Sequence, residues 1–270
     1  MGPAQSYNQP MPRHTLDLAK LKAEHTPRAI AQRLSMGLKG IYLRDFVYGA
    51  IDGTVTTFAI VAAVAGAGLS PGIVVIMGIA NLIGDGFSMA VGNYLGTRSE
   101  EKRRRHHRKT EEEHIKHYPA GEREEVRQIF AAKGFEGDDL ERVVETITGD
   151  LDRWVDTMLT EEYGLALDGP KPWKAASVTF LAFVVAGALP LISYVYNIAV
   201  PQASRISDPF LISSIVTGLA FFFIGAGKSR FAGERWWLAG LETLLLGGIA
   251  AVLAYQIGAM LEPLIPISSP

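Results

Sequence analysis

Five runs of apolar residues, each long enough to cross a bilayer, constrain this chain more than any other feature. A hydrocarbon core requires about 20 residues of helix. The runs are Phe46–Leu69, Ile73–Leu95, Ala175–Val200, Pro209–Gly227 and Trp236–Leu261. Gly53 to Gly84 carries no charge over 32 positions, and Ala175 to Ser204 none over 30. Lipid offers no partner to a bare backbone amide, so such runs are read as helices that satisfy their own hydrogen bonds. The turn from Gly66 to Gly72 is too short to make the first two anything but an antiparallel pair. The expected fold class is an all-α membrane protein with five transmembrane helices.

Bulk composition conceals this. At 48% apolar, 20% charged and a formal net charge of −2, the chain averages out like a soluble enzyme. The charge is segregated: 32 of the 54 charged side chains, 13 basic and 19 acidic, lie between Arg98 and Asp168. The expected organisation is therefore an N-terminal tail with an amphipathic helix (1–40), spans one and two (41–97), a charged helical insert (98–170) and spans three to five (171–270). Of the 26 Lys/Arg residues, 25 fall on one side of the spans and only Arg205 on the other. Basic loops stay in the cytoplasm. The N-terminus, the insert and the loop after span four are thus expected inside, and the C-terminus outside. With no cysteine, disulfide scaffolds, zinc–thiolate sites and iron–sulfur clusters are excluded.

Ahead of the first span, Thr26-Pro27 reads as a helix cap and first-turn proline. Ile30, Leu34 and Leu38 follow at helical spacing and predict an amphipathic helix on the cytoplasmic surface. Residues 1–12, with three prolines, are expected to be disordered. No cleavable signal is evident. The insert reads as a three-helix domain. One helix continues span two to about Tyr118, a second runs from about Gly121 to Lys133, and a third from about Asp138 to Tyr163. Val126, Ile129 and Phe130, then Leu140, Val144, Ile147, Leu151, Trp154, Val155 and Met158, form the stripes that would pack it.

Carboxylates inside spans are expensive and so mark function. Asp52 in span one, Asp85 in span two and Glu242 in span five lie deep in their runs, and Asp45 lies at the cytoplasmic end of span one. Asn81, Asp85, Met89 and Asn93 recur at every fourth residue, a polar and thioether stripe along one helix side. Carboxylate with thioether suits a borderline divalent metal such as Fe²⁺ better than Ca²⁺ or Mg²⁺. In the insert, most charges read as solvated faces, but three pairs share helix faces: Glu111 with His114, Glu122 with Glu125, and Met158 with Glu162. Three helices can then aim ligands at one point. Glu111 to His114 is also a Glu-x-x-His motif, of which a di-iron bundle needs two; only one is present, which weakens a ferroxidase reading. The basic run Lys102–Lys109 abuts a span end and points to anionic lipid or topology rather than nucleic acid. No phosphate-binding glycine loop or nucleophile–base motif occurs, so a non-enzyme is expected.

These residues resemble the vacuolar iron transporter family, whose members also occur in prokaryotic membranes. The resemblance rests on Tyr48-Gly-Ala-Ile-Asp52-Gly-Thr-Val-Thr-Thr-Phe58-Ala59 in span one and Gly86-Phe-Ser-Met89-Ala-Val-Gly92-Asn-Tyr94 in span two. It rests also on Glu162-Tyr-Gly-Leu165 closing the insert, and it extends from about Tyr42 to the end of span five. It implies a homodimer with a metal path between subunits, a metal-binding cytoplasmic domain, and export of Fe²⁺ or Mn²⁺ from the cytosol by proton antiport. Asp52 and Met89 correspond to the metal pair in the membrane, and Glu111, Glu122, Glu125, Met158 and Glu162 to cytoplasmic ligands. His114 stands where many members have glutamate, Leu159 where some have a second methionine, and Asn93 where glutamate is common. Asp45, Asp85 and Glu242 are assigned to the path or to proton coupling at lower rank. The expected location is a prokaryotic plasma membrane, with an organellar membrane as the alternative. A membrane-bound ferroxidase, a tethered metal sensor and an organic-solute transporter are the competing readings.

Overall fold

The computed structural model describes residues 18–35 and 41–264. It forms two compact units, Met1–Ile41 and Tyr42–Pro270. In the first, α1 is Leu18–Glu24 and α2 is Pro27–Ser35. The Thr26 hydroxyl accepts the Ala29 amide at 3.3 Å and Pro27 opens α2, as the cap reading anticipates. Leu38 of the expected stripe, and the tail 1–12, lie outside the described residues.

The second unit consists of helices joined by short turns, with no strand among its described residues. Helices α3 (Leu43–Gly66) and α4 (Pro71–His117) come first. The insert continues with α5 (Pro119–Ala132), α6 (Gly137–Thr148) and α7 (Leu151–Glu161). Then come α8 (Pro172–Ala188), α9 (Ile192–Ala199), α10 (Pro209–Ala232) and α11 (Trp236–Leu261). Five segments are long and apolar enough to cross a membrane, in agreement with the five runs. The third is broken where the sequence reads as continuous: Leu189-Pro190-Leu191 makes one 3₁₀ turn between α8 and α9. Proline lacks the amide an α-helix needs there and clashes with the preceding turn. The Ser213 hydroxyl of α10 donates to the Pro190 carbonyl at 2.6 Å and ties this turn to the next span.

Helix α3 is the axis of the bundle. A methyl on Gly49 would lie 2.5 Å from the Thr179 carbonyl oxygen of α8, and one on Gly53 would strike the Phe183 carbonyl. Glycine at these two positions lets the backbones touch, the usual device of membrane helix pairs. Phe58, Val61, Val74, Leu82, Phe183 and Phe221 fill the core around α3. Outward faces stay apolar: Ile76, Ile79, Ile83 and Phe87 on α4 and Leu245, Ile249 and Val252 on α11 are exposed, as surfaces bathed in lipid require.

The insert differs from expectation in one respect. Helix α4 does run unbroken for 47 residues from the bundle into the insert, and α5 begins at Pro119. The expected third helix, however, is two, so the three-helix domain is corrected to four helical segments: the end of α4, α5, α6 and α7. The chain breaks at Gly149, a poor helix former, and the Asp150 carboxylate accepts the Arg153 amide at 2.8 Å to start α7. The break leaves Leu151 exposed and turns Trp154, Val155 and Met158 into a core with Ile115, Val126 and Val144.

Candidate metal centre

Helix α4 carries Glu111 and His114 one turn apart, and Tyr118 links its end directly to α5. This tight reversal folds the first turn of α5, with Glu122, back on α4. His114 Nδ1 then lies 3.3 Å from Glu122 Oε1 and 3.8 Å from Glu111 Oε1. One ligand atom from each of the three lies within 4.8 Å of the others. Glu111 is 1% exposed and Glu122 7%, whereas His114 opens to solvent. The Oε2 atoms of both glutamates are buried without any hydrogen-bond partner. Two adjacent carboxylates with empty, buried oxygens are unfavourable by themselves and well suited to a divalent cation.

The electrostatics match. Burial, then the charges of Glu111 and Glu125, push Glu122 up to about 7. Burial, with Glu111 and Glu125, also raises Glu162 at the end of α7. The expected ligands Glu125 and Glu162 therefore crowd their charge onto the triad, though both are exposed. Met158 is fully buried in the insert core.

One residue escaped the sequence reading. The Tyr163 hydroxyl donates to Glu111 Oε1 at 2.8 Å, and its ring packs on His107, with centroids 4.3 Å apart. Burial and the Glu111 charge hold this phenol far above its usual range, so it stays a donor. It occupies Glu111 Oε1 and leaves Oε2 buried without a partner. No spacing rule links position 163 to 111; only the turn at Gly164 beside α4 does. Tyr163→Phe keeps the ring and removes that bond. It is expected to weaken Mn²⁺ binding about tenfold or more, the usual effect of losing a group that orients a ligand. Calorimetric titration of the full chain in detergent measures this.

In the bundle the every-fourth stripe of α4 divides into two uses. Asn81 donates to Thr56 and Thr57 of α3 at 3.1 and 3.2 Å. Asn93 donates to Asp45 at 3.0 Å and to Thr179 at 2.7 Å, and accepts from Thr97 at 3.2 Å. These amides lock spans one, two and three together and hold Asp45 at one end of α3. Between them on α4, Asp85 is exposed and Met89 half-buried. Asp52 on α3 is half-buried, and the Asp85 charge reaches it. Glu242 is not drawn to this group: Lys228 of α10 donates to it at 3.1 Å.

Comparison with known proteins gives this arrangement a family. The chain is 32% identical to vacuolar iron transporter 1 of Arabidopsis thaliana over 224 residues, covering 83% of this chain and 87% of the relative. It is 32% identical to the vacuolar iron transporter of Toxoplasma gondii over 225 residues, 82% and 74% of the two chains. It is 31% identical to vacuolar iron transporter 1 of Oryza sativa subsp. japonica over 217 residues, 80% and 84%. The family model for the VIT family matches residues 43–259, which take in the first four long apolar helices, the insert and most of the fifth helix. The chain belongs to the VIT family.

Proposed function

We propose that the chain moves Fe²⁺ or Mn²⁺ across its membrane, away from the insert side, in exchange for protons. The observation that carries this is the pair of buried, unpartnered carboxylate oxygens on Glu111 and Glu122 beside His114, in a chain whose relatives are named iron transporters. The insert lies on the cytoplasmic side, as the distribution of basic residues favours. It gathers the ion through Glu111, His114 and Glu122, with Glu125, Met158 and Glu162 as further ligands.

Asp45 receives the ion at the mouth of the bundle, and Asp52 with Met89 coordinates it inside. Protons arriving from the acidic far side neutralise Asp52, assisted by Asp85, and release the metal. Glu242 has its own cation in Lys228 and needs no metal. The path runs between two copies of the chain. Gly84, Ser88, Gly92 and Gly96 recur at every fourth position of α4, and a Cβ at any of the three glycines would meet open space. Small residues in that register suit a second helix at close range, with Asp85 and Met89 beside it. The far compartment is organellar if this chain follows the naming of its vacuolar relatives.

The decisive experiment is metal-competition flux in proteoliposomes at two pH gradients, with a pH-sensitive dye inside. Metal-dependent flux that grows with the gradient and carries protons the other way supports the reading. Binding without flux would make the protein a sensor, and Fe³⁺ formation with oxygen uptake would make it an oxidase.

A further inference from the structure

A second polar cavity lies at the root of the insert, apart from the metal triad. It has a volume of about 510 Å³ and opens between α4 and the segment that returns the chain to span three. Its basic walls are Arg104, Arg105 and Arg108 from α4 and Lys171 from the return segment. Leu159, Leu167 and Pro170 supply an apolar side.

Three acids also line the cavity, and two are already engaged. Glu101 is bound by Arg105, and Asp156 by Arg108. Arg108 also donates to Asp152 at 3.2 Å. Arg104 and Lys171 are left with no side-chain hydrogen bond or ion pair among the described residues, against the single acid Asp168. The Arg104 guanidinium is held against the backbone of Gly169. A methyl there would lie 2.6 Å from both of its terminal nitrogens, so the absence of a side chain makes the seat in which the planar cation rests. A half-buried arginine fork without a carboxylate is a site for an oxyanion.

Its height fixes the ligand. Lys171 immediately precedes Pro172, the first residue of span three, and its amide is bound by the Tyr42 hydroxyl just before span one, at 3.0 Å. Around this level, Arg98 lies over Tyr94 and Lys174 over Trp173, at 5.8 and 5.5 Å from the ring centroids. Aromatic rings paired with cations mark the headgroup layer of a membrane. This is the end of the bundle where lipid phosphates would lie, and Leu159, Leu167 and Pro170 give the cavity an apolar wall. We propose that it binds the phosphate of an anionic phospholipid, between Arg104 and Lys171, and so fastens the root of the insert to the membrane surface.

Fluorescence anisotropy of a headgroup-labelled short-chain phosphatidylglycerol, titrated with the full chain in neutral detergent, tests this. A charge-assisted hydrogen bond to a phosphate is worth about tenfold in binding, so Arg104→Gln with Lys171→Gln is expected to weaken it roughly a hundredfold. Lys102→Gln with Arg103→Gln removes the same charge nearby on α4 from side chains that do not line the cavity. That pair is expected to leave affinity within about twofold, because exposed charges off the site are screened. Equal losses from the two pairs would reduce the binding to general surface attraction and overturn the site. Retention by the Arg104/Lys171 pair would overturn it as well. Short-chain phosphatidylcholine should not compete. Displacement by inorganic phosphate as readily as by unlabelled phosphatidylglycerol would make the cavity a soluble-anion site and overturn the lipid assignment. None of these outcomes depends on metal transport.

Discussion

Replacing Asp52 by asparagine will lower Fe²⁺ flux in proteoliposomes about a hundredfold or more and will abolish the accompanying proton movement. Removing a group that only orients a ligand already costs tenfold or more, and here the charged oxygen itself is lost. The substitution should not disturb the helix. Thr56 donates to the backbone carbonyl of residue 52 at 2.9 Å, not to its side chain, and Gly53, against α8, is untouched. Asparagine retains the shape and polarity of aspartate but cannot take up the proton that, on the proposed mechanism, releases the metal. Asp85→Asn, on the neighbouring exposed face, should lower flux less. Parent-like metal and proton traffic in Asp52→Asn would refute the role given to Asp52.

Metal binding to the insert will fall steeply with acid. Because Glu122 is pushed up to about 7, its proton must leave before a cation can enter. Below that pH, Mn²⁺ affinity should weaken about tenfold per unit for each proton displaced, and above it level off. Glu122→Gln should lose about a hundredfold in affinity at neutral pH, by the same measure as Asp52, and lose much of the pH slope. Titration calorimetry of the full chain at several pH values measures both. The metal-free protein should show the opposite trend in stability. Its Glu122 binds a proton more tightly folded than unfolded, so the contribution is complete below the ordinary glutamate range. It is lost as pH rises from about 4.5 to about 7. Thermal unfolding without metal should therefore move to lower temperature across that interval, and added Mn²⁺ should reverse the loss most strongly at high pH. A flat profile in both measurements would mean that Glu111 and Glu122 do not share a cation site.

Much of this molecule was legible in its sequence because lipid imposes a length and a polarity that few chains satisfy by accident. The five runs, the continuation of span two into the insert and the start of α5, two residues before the expected Gly121, all follow from local rules. The triad was half legible. Glu111 and His114 share one face by helical spacing, as do Glu122 and Glu125, but the reversal at Tyr118 that brings Glu122 against His114 is seen only in the structure. What spacing cannot give is the opposing partner. It assigned Asn81 and Asn93 to the same polar stripe as Asp85 and Met89, yet the two amides are consumed by threonines and by Asp45 on other spans. It read Glu242 as a deep carboxylate, although Lys228 lies across the hairpin. The split at Gly149 was missed because the apolar pattern persists through it, and only the packing of Trp154 and Met158 beneath α4 requires the chain to turn.

Helix α4 joins the two ends of the proposed route in a single rod. Met89 and Glu111 are separated by 22 positions on it, about 33 Å at 1.5 Å per residue, and with no proline or 3₁₀ turn between them. A continuous hydrogen-bonded helix resists bending, so its two ends cannot move independently. Tilting span two by about 5° would carry the far carboxylates through roughly 3 Å, simply from the length of the lever. That is a full hydrogen-bond distance, delivered at Glu111 and His114 by a small movement at Met89. On the proposed route, loading at one end and release at the other would share this one lever.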